Sequence, residues 1–294
     1  MTLPATMTAM ILTGHGGMDK YEWRTDWPVP SVGAGEVLVR VKACGMNNTD
    51  VNTRAGWYSK AVTGATDSSA EEAPDGDDPS WGGKPLAFPR IQGADICGEV
   101  VAVGDGVDAA RIGERIITDC WLRDPDNLTD KTKTGYVGSE CDGGFAQYCV
   151  LPSRNALAVN SPLSDAELAT FSCSYSTAEG MLTRAKVSEA DTVLVPGASG
   201  GVGGAVVQLA KRRGARVIAM ASEAKHEAVA NLGPDRILPR APANLRAAFG
   251  DEELTVVGDV GGGPPWPKFM DGGERRGRQT RAGADAGRGW RGGG

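Results

Sequence analysis

A strand that runs through a glycine-rich turn directly into a helix constrains this chain more than any other feature. VLVPGASGGVGGAVVQLA, Val193 to Ala210, has that form: an apolar strand from Thr192 to Val195, then Gly197, Gly200, Gly201 and Gly203, then helical sequence. Glycine at such a turn lets main chain approach a pyrophosphate closely, and the helix start offers unpaired N–H groups at the positive end of its dipole. Ser199 can add a hydroxyl contact to phosphate. A triphosphate-binding loop is disfavoured, because no Gly-Lys-Ser/Thr follows. The segment predicts a dinucleotide site built on Gly197, Ser199, Gly200, Gly201, Val202 and Gly203.

The end of the next strand discriminates between the two nicotinamide cofactors. An NAD site usually carries an acid there, hydrogen-bonded to the ribose 2′-hydroxyl. This chain reads AMASEAKH, with Ser222 followed by Lys225. A hydroxyl and a cation suit a 2′-phosphate, so NADP(H) is the expected cofactor. Glu223 as a displaced ribose acid, with Lys225 merely solvated, is the competing reading.

Around this turn, strands and helices alternate. DTVLVPG, ARVIAMAS, DRILP and LTVVGDV read as strands, and GGVGGAVVQLAKRRG, EAKHEAVANLG and PANLRAAFG as helices. Such alternation predicts a doubly wound α/β domain with a parallel sheet covered on both faces. Ahead of it, EVLVRVKACG, IQGADICGEVVAVGDGV and GERIITDCW have the rhythm of short strands and glycine turns. The expected organisation is a β-rich domain over residues 1–155, an α/β domain over 156–262 and a tail over 263–294. SPLSDAELATF carries Ser164 and Glu167 at capping-box spacing and predicts a helix start. Ser59 to Pro85 is acidic and rich in Gly and Pro, and reads as a surface excursion.

The tail breaks the pattern. Residues 261–294 contain 12 glycines and 6 arginines. After Met270 there is no Val, Ile, Leu, Phe or Met, so no apolar run is available for a central strand. A disordered basic tail and a reading-frame change at a damaged 3′ end are both open. GRQTRAGADAG resembles a distorted fifth strand, with Gln279, Thr280 and Arg281 where apolar residues would sit.

Composition narrows the function classes. With 40% hydrophobic and 23% charged residues the chain reads as a soluble globular protein, and the cytoplasm is its expected compartment. A net charge of −6 argues against a general nucleic-acid binder. No apolar run reaches the roughly 20 residues that span a membrane. Six cysteines without a C-x-x-C pair, and only two histidines, predict reduced thiols and no histidine-rich metal site.

Together these segments resemble the medium-chain dehydrogenase/reductase superfamily, in which a GroES-like β-barrel domain precedes a Rossmann domain. The resemblance runs from about Met10 to Asp259, and GASGGVGGAVVQLAKRRGARVIAMAS is characteristic of the quinone-reductase branch. DGGFAQYCVLPSRNA matches the junction into the second domain, and SCSYSTAEGML matches the segment whose threonine, here Thr177, lies beside the nicotinamide. The Rossmann domain is expected to be incomplete at its C-terminus. A small-molecule partner is implied, as is a homodimer weakened because the usual pairing element falls beyond Asp259.

The zinc enzymes of that superfamily often read A-C-G-V-C-H-T-D, with the second cysteine as ligand. Here that position is Asn47, the histidine ligand of Gly-His-Glu falls at Ala94, and only Cys173 keeps a suitable side chain. A catalytic zinc needs three protein ligands, so the expectation is no metal, with Cys173, Asp95 and Cys97 as a less favoured replacement set. GMNNTDVNTRAGWY instead resembles the quinone-reductase pattern G-V-N-Y-I-D-T-Y-I-R-S-G-L-Y, with Asn47, Asp50, Arg54, Gly56 and Tyr58 matching and Asn48 and Asn52 replacing its tyrosines. Asn47 and Tyr58 are the expected substrate-orienting residues. The resemblance implies zinc-independent hydride transfer from NADP(H) to a quinone or an α,β-unsaturated carbonyl. An alcohol dehydrogenase with an unconventional metal site and a non-catalytic or damaged relative are the alternatives.

Overall fold

A computed structural model describes residues 2–56, 86–128, 130–242, 245–249 and 252–259, and the backbone of 280–281. The acidic excursion and most of the tail lie outside the described residues, as does Tyr58. Two compact units divide the chain, which passes from one to the other between Cys173 and Ser174. This junction lies downstream of the one placed at 155/156 by composition, because residues 156–158 still pair with the sheet of the first unit.

The first unit contains β1 (Thr6–Leu12), β2 (Tyr21–Pro28), β3 (Glu36–Gly45), α1 (Asn48–Arg54), β4 (Arg90–Ile91), β5 (Asp95–Val103), β6 (Arg115–Thr118), β7 (Trp121–Leu122), β8 (Gly135–Tyr136), β9 (Tyr148–Pro152), β10 (Ala156–Ala158) and α2 (Asp165–Leu168). Its main sheet is antiparallel in the order β10-β6-β5-β3-β9, beside a smaller sheet β2-β1-β4 and the pair β7-β8. Alternation in β3 sends Val37 and Val39 into a core with Ile96, Val100, Ile116 and Leu151. Register then sets the site: Cys44 lies opposite Ile96 and Gly45 opposite Asp95. That brings the start of α1 to the head of β5. Ser164 caps α2 as expected, its Oγ accepting from the Glu167 N–H at 3.2 Å while Glu167 Oε2 accepts from the Ser164 N–H at 2.8 Å.

The second unit takes most of α3 (Ser172–Ala185), then β11 (Thr192–Val195), α4 (Gly201–Arg212), β12 (Arg216–Ala221), α5 (His226–Ala230), β13 (Arg236–Pro239), α6 (Leu245–Phe249), β14 (Val256–Asp259) and β15 (Thr280–Arg281). The sheet order is β13-β12-β11-β14-β15, with parallel neighbours throughout. Val193, Val195, Val217, Ala219 and Val256 pack on one face. Leu194, Ile218, Met220 and Val257 pack with Phe249 on the other. Burial on both faces explains why these strands are continuously apolar. The fifth strand is the short one the sequence hinted at: Thr280 pairs with Gly258 and Arg281 with Asp259. EAKHEAVANLG is less helical than expected, a 3₁₀ turn at Glu223–Lys225 followed by the five residues of α5. Among the described residues no helix is long and apolar enough to cross a membrane.

Candidate active site

In the first unit the site forms where β3 ends, α1 begins and β5 starts. Asn47 is the N-cap of α1 in a capping box with Asp50, and Asp50 Oδ2 accepts from the Asn47 backbone N–H at 2.8 Å. Asp50 Oδ1 accepts from the Gly93 N–H at 3.2 Å, and its own carbonyl accepts from Gln92 Nε2 at 3.0 Å. Tyr21 in turn donates to Gln92 Oε1. Asp50 is thus a structural anchor. So is Arg54, whose guanidinium donates to the Gly16 carbonyl.

The Asn47 side chain turns the other way. Its Nδ2 donates to Asp95 Oδ2 at 3.0 Å, and Asp95 Oδ1 accepts from the Cys173 backbone N–H at 2.6 Å. Asn47 and Cys173, two of the three positions that the family resemblance sets against metal ligands, are therefore joined through one carboxylate, and Asp95 directly follows the third, Ala94. Asp95 is 1% exposed and Asp50 5%. Burial pushes both carboxyls up to about 6, although the Asn47 amide and the Cys173 N–H oppose this at Asp95 and backbone N–H groups oppose it at Asp50. Cys173 is pushed up to about 12, by burial and then by Asp95, so its sulfur stays a neutral thiol. Cys44 is also held well above its ordinary range by burial, followed by Asp50 and Asp95.

This donor set does not fit a catalytic zinc. Ala94 packs with Cys120, Tyr136 and Cys173 and offers no ligand atom. Cys97 belongs to a different cluster, with Leu168 and Ala169, and its thiol donates to Asp165 Oδ1 at 3.5 Å. The replacement set of Cys173, Asp95 and Cys97 is not assembled. Among the described residues no group of three or more His, Cys, Asp and Glu side chains is arranged around a common metal position.

The glycine turn, in the second unit, fits a dinucleotide. Gly197 has φ +64°, and a Cβ there would meet nothing within 4 Å. At Gly203 a Cβ would stand 2.3 Å from the Gly197 carbonyl oxygen, so the helix start and the turn touch through main chain. Gly200 is the N-cap of the 12-residue α4, and no side chain caps the helix there. Gly197, Ser199, Gly200 and Gly201 are exposed, Val202 is half-buried and Gly203 buried. The result is an open cradle at a helix N-terminus. Ser222, half-buried, and Lys225, exposed, follow β12 directly. Thr177 is half-buried in α3, one turn beyond Cys173.

Sequence reasoning missed the role of Asp95, weighing it only as a metal donor. The available signal was a carboxylate at the head of the apolar run DIC that opens β5, where an acid needs a partner.

Residues 33–161 match the alcohol dehydrogenase GroES-like domain. A solved structure described as a candidate alcohol dehydrogenase from Sinorhizobium meliloti 1021 is 44% identical, with a TM-score of 0.83 over 98% of this chain and 78% of that one. An NAD-dependent alcohol dehydrogenase from Sulfolobus acidocaldarius is 30% identical over 79% of this chain. A quinone oxidoreductase from Rattus norvegicus is 27% identical over 85% of it. The chain spans 63% and 65% of the lengths of these two relatives, a little under two thirds. With a GroES-like β unit, a parallel sheet in the β13-β12-β11-β14-β15 order and this degree of likeness, the chain belongs to the medium-chain dehydrogenase/reductase superfamily.

Proposed function

We propose that the chain is an NADPH-dependent oxidoreductase that reduces a quinone or an α,β-unsaturated carbonyl without a catalytic zinc. The observation that carries this reading is the hydrogen bond from Asn47 Nδ2, at one of the metal-ligand positions, to Asp95 Oδ2, beside another, at 3.0 Å. NADPH, when bound, supplies a hydride from C4 of its reduced nicotinamide.

Gly197, Gly200, Gly201, Val202 and Gly203 give the pyrophosphate a close main-chain approach at the N-terminus of α4, and Ser199 adds a hydroxyl. Ser222 and Lys225 take the 2′-phosphate. Thr177 orients the nicotinamide carboxamide, and Asn47 and Tyr58 orient the substrate. A Lewis acid contributes several kcal/mol to reactions of simple alcohols and carbonyls. A conjugated acceptor spreads the incoming charge itself, so positioning and hydrogen-bond donation suffice. Met46, 77% exposed beside Asn47, offers apolar surface to such a substrate.

The test is turnover by chelator-treated protein whose metal content has been measured. Oxidation of NADPH with a quinone or enone, at a rate unchanged by added zinc, is the expected result. Oxidation of a simple primary alcohol by the same metal-stripped protein overturns the proposal.

A further inference from the structure

We propose that Asp95 is a positioning residue for hydride transfer: it locks the Asn47 amide so that an N–H, and not the amide oxygen, is offered to the substrate carbonyl. This rests on the function proposed above. The geometry comes from three groups. Asp95 Oδ1 is held by the Cys173 N–H at 2.6 Å, Oδ2 receives Asn47 Nδ2 at 3.0 Å, and the side chain is sealed at 1% exposure. A carboxylate accepts and does not donate, so the nitrogen of the amide must face it. The amide oxygen is then turned to the first turn of α1, where Asn47 forms the capping box with Asp50. What remains is the second Nδ2–H. Asn47 is half-buried, and we place this donor on its open side. Among the described residues it has no acceptor.

The donor has a defined task. NADPH, when bound, would supply the hydride; as the β-carbon of an enone gains its new C–H bond, the C=C π pair would shift to the bond between the α-carbon and the carbonyl carbon, and the C=O π pair would move onto oxygen. A hydrogen bond from Asn47 stabilises that developing negative charge. Water would then protonate the α-carbon, leaving hydroxide to the solvent, and the saturated carbonyl compound would result. A donor aimed at developing charge is worth most where it is already fixed before the reaction. The buried carboxylate supplies that fixing without touching substrate.

Three variants test this: Asp95→Asn, Asn47→Asp, and the exchange Asn47→Asp with Asp95→Asn. In Asp95→Asn the new amide donates toward position 47, so the Asn47 amide turns over and presents its oxygen. The expected result is a fall in kcat of about 10²-fold, the effect of losing one oxyanion donor. NADPH affinity by fluorescence titration is expected to be preserved, and the thermal midpoint at neutral pH to be no lower than the parent's. The exchanged pair restores an amide–carboxylate hydrogen bond but puts the carboxylate at position 47, and it is expected to stay at least as slow. A kcat within twofold of the parent in Asp95→Asn, or recovery in the exchanged pair, overturns the inference.

A readout independent of turnover separates this from the function on which it rests. In ¹⁵N-asparagine-labelled protein, the Asn47 side-chain NH₂ pair is assigned by its loss in Asn47→Asp. One proton of that pair is expected to be slow to exchange, and the pair is expected to shift in Asp95→Asn. An unshifted pair overturns the positioning role whatever the activity. A shifted pair in a protein that reduces no quinone or enone leaves the lock standing as geometry and refutes both the proposed function and the role in hydride transfer.

Discussion

Replacing Asp95 with Asn is predicted to make the protein more stable at neutral pH, even as it slows the reaction. Asp95 has a carboxyl raised from an ordinary 3.8 to about 6, chiefly by burial, so the fold disfavours its ionised form. Below about pH 3.8 the folded and unfolded chains both keep the proton, and no penalty applies. Between 3.8 and about 6 the unfolded chain releases it first, so stability falls as pH rises. Above about 6 both are ionised and the loss is complete. At 1.36 kcal/mol per pH unit, the gap amounts to about 3 kcal/mol. Asparagine keeps the acceptor for the Cys173 N–H and removes the charge. Turning the Asn47 amide over weakens the α1 cap, which returns about 1 kcal/mol. The net gain is about 2 kcal/mol at pH 8, shrinking to nothing or to a slight loss near pH 4.

Asp50 serves as the control. Its two oxygens each accept a backbone N–H, from Asn47 and from Gly93. Asparagine has one acceptor and would leave a buried N–H unpaired at a cost of about 1–3 kcal/mol, cancelling the benefit of losing the charge. Urea unfolding of the parent, Asp95→Asn and Asp50→Asn proteins at several pH values from 4.5 to 8 reads the differences as shifts in midpoint. If Asp95→Asn is less stable than the parent at pH 8, or the difference does not change across this window, the reasoning from burial is wrong.

Other outcomes follow from the same geometry. Gly203→Ala forces a Cβ to within 2.3 Å of the Gly197 carbonyl oxygen, so cofactor titration should show binding lost and the thermal midpoint should fall by the equivalent of about 1–3 kcal/mol. Gly201→Ala meets the Ser174 hydroxyl at 2.6 Å, which can rotate away, and Ser174 Cβ at an ordinary 3.6 Å, so its thermal midpoint should stay near the parent's. Lys225→Glu should raise the Kd for NADPH by about 10–100-fold while leaving that for NADH nearly unchanged, as expected for loss of a charge-assisted phosphate contact. Ser164→Ala removes the α2 cap and should cost about 1 kcal/mol in denaturant unfolding, without effect on NADPH titration.

Much of the fold was legible because its signals are local. The glycine turn between a strand and a helix, the apolar strands around Val193, Val217, Ile237 and Val256, and the Ser164 capping box each lie within a few residues of their partners. The alternation of EVLVRVKACG likewise placed β3. What the sequence hid depends on long-range pairing. Asn47 and Asp95 are 48 positions apart, and Asp95 and Cys173 are 78. Only the register that sets Gly45 against Asp95 brings them together. The fifth strand was legible only as a distorted echo, because Gln279, Thr280 and Arg281 stand where apolar residues would sit, and pairing of Thr280 and Arg281 with β14 makes it a strand.

The central claim is that hydride passes from a nicotinamide to a conjugated carbonyl with no metal assistance. Label transfer tests it most directly. Metal-stripped protein is incubated with an enone and NADPH deuterated at C4, each face in turn, and the product is analysed by mass spectrometry. One deuterium on the β-carbon of the saturated product, from one of the two labelled cofactors and without added zinc, is the predicted result. A product free of deuterium from both, or one formed only after zinc is restored, would contradict the account.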